Sequence, residues 1–168
     1  LNWAIRLVLL LGLPATIVLV FLSDALIATL FFYGEMTQRD VDMSGMALAA
    51  YGLGLLGHML VKVLAPGYFA RQDTSTPVRY GVIALVSNMV LNMLLIWHLK
   101  HAGLALATSI SAFINAALLF YGLRKSGVLV LEVGWSRFLG QVLLANIVML
   151  LALYLITPVI SMWFEFGL

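Results

Sequence analysis

The sequence contains no cysteine, which excludes disulfides, thiolate metal sites and cysteine nucleophiles. Charge is nearly as scarce. Nine basic and seven acidic residues make up 10% of 168 positions, against 64% hydrophobic residues and a mean hydropathy of +1.10. An average soluble domain carries about 25% charged residues, so this chain cannot cover an ordinary soluble surface and is far too apolar to be disordered. The pI near 9.1 reflects a net charge of only +2 from scattered residues. The basic stripe of a nucleic-acid binder is lacking, and no nucleic-acid partner is expected. No HExxH motif, paired carboxylate or nucleophile–base pair lies within an apolar run. No glycine-rich phosphate loop is present either, so catalysis and ATP hydrolysis have no support here. The first apolar run has no charged n-region before it and no small-residue cleavage site after it, which argues against a signal peptide. The chain opens on Leu1 inside that run and reads as a piece of a larger membrane protein.

What is present is apolar sequence of bilayer width. A helix needs about 20 apolar residues, rising 1.5 Å each, to cross a hydrocarbon core of about 30 Å. Five windows qualify, at about 4–22, 46–64, 80–99, 102–122 and 138–157. Runs such as LVLLLGL and ANIVMLLALYLI do not alternate, so helices rather than barrel strands are predicted. The fold class is all-α, a polytopic membrane bundle of five transmembrane helices. Loop 23–45 holds Asp24, Glu35, Arg39, Asp40 and Asp42, and its apolar stretch is too short to cross, so it is placed at the interface. In loop 65–79, Pro66 and Gly67 are expected to end the second span, and Thr76 to cap the third with Pro77 in its first turn. Asp73 stands alone among small hydroxyl residues and reads as a turn or capping residue. The link WHLKHAG is short enough to make the third and fourth spans an antiparallel hairpin.

Basic residues set the orientation. Alternating the loops puts Arg6, Lys62, Arg71, Arg79, Arg124, Lys125 and Arg137 on one side and only Arg39 and Lys100 on the other. The first side is therefore cytoplasmic. The acidic residues Asp24, Glu35, Asp40, Asp42 and Glu165 fall outside.

Polar residues inside spans are costly unless paired, and are functional candidates by default. Asn88 and Asn92 share one helix face. Thr108, Ser111 and Asn115 share another. The hairpin brings the two faces together near mid-membrane, either as hydrogen-bonding glue between helices or as an oxygen-rich ion or coupling site. Tyr51, Gly54, His58 and Lys62 line a face of the second span. His58 and Lys62 are candidates for headgroup or interface contacts, with His58 bonding a neighbouring helix and Lys62 snorkelling to the cytoplasmic interface as the simpler roles. Gly52, Gly54 and Gly57 permit close helix approach. Pro14, beside Gly12, is expected to kink or soften the first span.

The stretch KVLAPGYFARQDTSTPVRYG at 62–81 resembles a segment of the MurJ (MviN) family of lipid II flippases. In that family a helix ends in a V-x-x-P-x-[FY]-[YF]-A-like run and a D-T-x-T-P loop, here Asp73, Thr74, Thr76 and Pro77, opens the next helix. LKHAGLALATSISAFINAALL at 99–119 and the GEMT-type loop at 34–37 also resemble the family, collinearly over nearly the whole chain. The resemblance implies a fourteen-helix protein of the multidrug/oligosaccharidyl-lipid/polysaccharide exporter superfamily, of which this chain corresponds to about the ninth through thirteenth helices. Residues 1–122 would hold four helices of the C-terminal lobe. Residues 123–168 would hold a cytoplasmic linker and the first of two extra helices bordering a lipid groove. It further implies lipid II translocation across a bacterial inner membrane by alternating access, with membrane lipid, the substrate and the preceding helices of the same chain as partners. The family's substrate-binding arginines lie on those preceding helices. A family sodium site maps by position onto Asn88, Asn92, Thr108 and the carbonyl of Leu104, with Asn92 standing where the family has a carboxylate. The competing readings are export of another lipid-linked oligosaccharide or of drugs, a membrane-embedded lipid or glycan enzyme working through Asp73, His58 and His101, and a purely scaffolding role.

Overall fold

The computed structural model describes residues 1–31, 37–130 and 134–157, apart from the side chains of residues 98 and 100. The 34–36 part of the GEMT-type stretch, Glu35, Glu132, Glu165 and the Lys100 side chain fall outside that description. Five helices follow one another: α1 (Asn2–Phe21), α2 (Ser23–Phe31), α3 (Gln38–Phe69), α4 (Ser75–Lys125) and α5 (Trp135–Ile156).

Helix α4 is helical throughout yet doubles back. Asn88 Nδ2 lies 3.4 Å from Thr108 Oγ1, whereas a straight helix would separate those residues by roughly 30 Å. The arms Ser75–Trp97 and His101–Lys125 therefore form the antiparallel hairpin expected from the short link. Gly103 makes the fold-back possible, because a Cβ there would stand 2.6 Å from the Leu95 carbonyl oxygen. Counting the two arms, five helical segments are long and apolar enough to cross a membrane.

Three boundaries differ from those read in the sequence. Helix α3 starts at Gln38, eight residues before the apolar window, because Thr37 and Asp40 form a reciprocal cap. The Asp40 carboxylate accepts from Thr37 N at 3.0 Å, and Asp40 N donates back to Thr37 Oγ1 at 3.4 Å. The same helix runs through Pro66 and Gly67 and ends at Phe69, since Tyr68 is buried and its hydroxyl donates to the Leu119 carbonyl. The last turn is anchored there despite the N–H that Pro66 lacks. The chain then reverses at Gln72, whose φ of 59° lies in the left-handed region. Finally, α4 begins at Ser75 rather than after Thr76, and the capping atom belongs to Asp73 (below). Helix α1 passes through Pro14 unbroken.

Helix α3 is the hub, packing against α1, α2 and both arms of α4, while α5 packs on α1. A core of Ile5, Leu64, Tyr68, Leu119, Leu123 and Leu129 closes one end of the bundle. Leu1 meets Gly67 there, Gly67 meets Leu123, and Asn2 Nδ2 donates to the Val130 carbonyl at 2.7 Å. The start of α1, the 70–74 turn and the 126–130 turn thus share one end, the end the basic residues mark as cytoplasmic. The Arg6 guanidinium lies 5.3 Å from the Trp135 ring centroid and 5.7 Å from that of Phe138, tying α5 to α1 at the same level.

At the opposite end, Asp24 of α2 sits in a notch of α3 that exists only because Gly45 has no side chain. Burial first, and the Asp42 carboxylate second, push the Asp24 pKa up. An acid with a raised folded-state pKa stabilises fully below its unfolded value, and that contribution is lost as pH rises through the folded value. Asp24→Asn should therefore raise the melting temperature of the full-length protein at pH 7.5, with the gap to wild type closing as pH falls toward 4. Thermal unfolding across that range checks the sign.

Candidate functional site

The two polar stripes meet as the spacing predicts. Asn88 is the hub: its Nδ2 donates to Thr108 Oγ1 at 3.4 Å and to Ser111 Oγ at 3.2 Å, and its Oδ1 accepts from Asn92 Nδ2 at 2.8 Å. The Thr108 hydroxyl donates to the Leu104 carbonyl, and the Ser111 hydroxyl to the Thr108 carbonyl. The two Asn88 bonds to Thr108 and Ser111 cross between the arms; each contributes about 0.6 kcal/mol inside a membrane, and together they hold the hairpin in register.

The same arrangement does not fit a sodium ion held by these residues alone. The four matched positions offer four oxygens and no carboxylate; the Leu104 carbonyl and Asn88 Oδ1 each accept one hydrogen bond and keep a second lone pair, and Asn92 Oδ1 is buried with no partner. A hard cation takes six or more oxygens, usually with carboxylates among them. Among the described residues no group of three histidines and acids gathers anywhere.

Beside the amide cluster, toward the 70–74 turn, a cleft of about 380 Å³ opens between α3 and the two arms of α4. His58 and Lys62 line it from α3, Ala84, Leu85 and Asn88 from the first arm, and Ser111, Ala112 and Asn115 from the second. Residues from all three stripes therefore face one space. His58, read from the sequence as bonding a neighbouring helix, bonds within its own helix instead. Its Nδ1 lies 2.8 Å from the Gly54 carbonyl one turn back, and since a carbonyl only accepts, Nδ1 carries the hydrogen. Asn115 Oδ1 is buried without a partner.

The floor of the cleft is a tight crossing of α3 on the second arm. The Ser109 hydroxyl donates to the Ala50 carbonyl. A Cβ on Gly54 would stand 2.8 Å from Ser109 Cα, and one on Gly57 would stand 3.1 Å from the Ala112 backbone. Lipid tails are as apolar as leucine, so such helices associate through close packing and hydrogen bonds, which small residues permit. Ser109, only 2% exposed, is a contact the polar-stripe reading passed over; the register that sets it against Gly54 is not written in either helix alone. Asn146 of α5 was missed too. It is buried, donates to the Val142 carbonyl in its own helix, and is a lone amide in an apolar span.

The sequence matches the family described as Lipid II flippase MurJ over residues 1–167. The chain belongs to the MurJ lipid II flippase family. It is 46% identical over 167 residues to a probable lipid II flippase MurJ of Vibrio cholerae, covering 99% of this chain and 32% of that protein. It is 41% identical over 149 residues to the lipid II flippase MurJ of Burkholderia cenocepacia, covering 89% and 29%. A solved structure titled lipid II flippase MurJ, inward closed conformation, superposes with a TM-score of 0.82 at 26% identity, over 99% of this chain and 35% of that one. The chain thus spans about a third of the length of the relatives it matches. Family and spans together make it part of a multi-pass membrane protein.

The MurJ-like stretch at 62–81 is the last two turns of α3, the turn, and the start of α4. Asp73 Oδ1 accepts from Thr76 N at 3.0 Å and from Ser75 Oγ at 3.2 Å. Asp73, not Thr76, caps the helix, and these bonds hold its pKa below the usual carboxylate value. Thr74 makes no side-chain cap bond, and Pro77 lies in the first turn as expected. Asp73 and His58 occupy separate sites, the turn and the cleft. His101 lines a different, outer pocket with Arg39 and Asp42. The three are not gathered into one centre.

Proposed function

We propose that this chain is part of a lipid II flippase of the bacterial inner membrane, acting in cell-wall biogenesis. It would supply most of one lobe of a transporter that carries the lipid-linked precursor from the inner to the outer leaflet by alternating access. The observation that carries this reading is the unbroken match to lipid II flippases over residues 1–167. The packing supports it: the α3–α4 crossing, with glycine against backbone, makes a body stiff enough to rock as a unit. In this reading the amide cluster holds the hairpin in register, and no sodium-dependent step is assigned to it. An apolar cavity of about 430 Å³, lined by Ile5, Leu9, Leu64, Phe120, Trp135 and Leu139, gives lipid hydrocarbon a place beside α5. The lobe moves a lipid and makes or breaks no bond, and its other partners are the remaining helices of the same protein.

The test is the full-length parent in cells depleted of their own flippase. Restored growth, with lipid II reaching the outer leaflet, is the expected result. Lipid II retained inside while another lipid-linked oligosaccharide or a drug is exported would replace this reading. Alanine at Asn88, Asn92 and Thr108 together that leaves transfer intact would favour the reading in which this chain only scaffolds the transporter.

A further inference from the structure

We propose that Thr16 of α1 and Asn146 of α5 bind one water molecule between them, forming a polar joint that holds α5 to the bundle half-way along its length. The first observation is an unmet need on both sides. Thr16 is 9% exposed and Asn146 7%. Thr16 Oγ1 and Asn146 Oδ1 are buried with no hydrogen-bond partner, a rare condition in folded proteins. Thr16 is also turned unusually for a helical threonine. Thr29 and Thr108 donate to the carbonyl four residues back, whereas the Thr16 hydroxyl makes no such bond. The Asn146 amide commits Nδ2 to the Val142 carbonyl at 2.7 Å and leaves only its oxygen.

The second observation is that the two groups stand level and on facing sides. Helix α5 packs on α1 and on no other described helix, so Asn146 is buried against α1. Two contacts set the level. Arg6 lies 5.3 Å from the Trp135 ring centroid at one end, and at the other Leu22 and Leu26 share a cavity wall with Ile156. Counted at 1.5 Å per residue from either contact, Asn146 falls within about one turn of Thr16. The faces agree as well. Leu9 lines one cavity together with Leu139. Thr16 stands seven residues past Leu9, and Asn146 seven past Leu139, so each lies two turns along the stripe that faces the other helix. A single water supplies what both lack: it accepts from the Thr16 hydroxyl and donates to Asn146 Oδ1. Ordered waters answer freed polar groups inside membrane bundles in this way, and removing them is costly.

The joint belongs to the fold and not to the cargo, so it is tested without flipping, on the full-length protein in lipid nanodiscs. X-ray pulses generate hydroxyl radicals in place, which oxidise side chains beside bound waters even where bulk solvent does not reach. Mass spectrometry reads the products. Val142, one turn before Asn146 and 4% exposed, should be oxidised several-fold faster than Val8, which is 6% exposed and lies two turns before Thr16. Thr16→Val combined with Asn146→Leu should abolish that difference. Thermal unfolding gives a second reading. Each single substitution should lower Tm, because it leaves the other group without a complete partner, and the double substitution should recover most of the loss. Equal oxidation of Val142 and Val8, or single substitutions that each raise Tm and add in the double, overturns the proposal. Coupled Tm changes without Val142 oxidation overturn it too, because the two side chains then bond directly.

Discussion

Gly54→Ala should destabilise the full-length protein by about 2 kcal/mol, and Gly54→Leu should keep the bundle from assembling. The added methyl would meet Ser109 at its Cα as well as its hydroxyl, 2.8 Å from the former. A side chain can swing away from such an intrusion, but backbone cannot, so the helices must separate. Separation also breaks the bond from Ser109 to the Ala50 carbonyl, leaving a hydroxyl unpaired in an apolar crossing. Gly81→Ala is the control. A Cβ there meets nothing within 4 Å, and alanine is the better helix former by about 1 kcal/mol, so that variant should be neutral or slightly stabilising. Thermal unfolding in detergent and steady-state level in membranes read both. Equal behaviour of Gly54→Ala and Gly81→Ala would mean that α3 and α4 do not cross where described.

Tyr68→Ala should cost about 3–5 kcal/mol, whereas Tyr68→Phe should cost only about 1 kcal/mol. The ring is 4% exposed, in the core that closes the end of the bundle beside the 70–74 turn. It stands edge-on to Tyr80, with centroids 6.4 Å apart, an arrangement that contributes about 0.5–1.5 kcal/mol beyond area burial. Phenylalanine keeps the ring and loses only the 2.8 Å bond to the Leu119 carbonyl, which belongs to a helical residue with other means of satisfying it. Alanine leaves a cavity at the point where α3, both arms of α4 and the 126–130 turn converge. Tm and denaturant midpoint of the two variants should differ severalfold in their shift. Similar shifts would locate the contribution of Tyr68 in its hydroxyl instead.

The spans were legible because lipid imposes a simple rule: long apolar runs cross it. The meeting of Asn88 with Thr108 and Ser111 was legible for a second reason, since a seven-residue link leaves two helices no choice but to pair. Helix ends were less so. The Thr37–Asp40 cap extends α3 into a stretch whose composition reads as loop, and Tyr68 carries the same helix past Pro66 by a contact 51 residues away in sequence. The role of Ser109 was out of reach for a related reason. It depends on the register between α3 and the second arm of α4, which glycine–backbone contacts set and periodicity within one helix does not encode.

The most direct measurement is cysteine accessibility in the full-length protein, made possible by the absence of native cysteine in this stretch. Single cysteines at Thr74, Ser126 and Ala102 would be probed with a membrane-impermeant maleimide in intact and opened cells. Labelling of Ala102→Cys in intact cells, with Thr74→Cys and Ser126→Cys labelled only after opening, is the expected pattern. Thr74 and Ser126 on opposite faces, or Ala102 on the same face as both, would contradict the threading from which the rest is built.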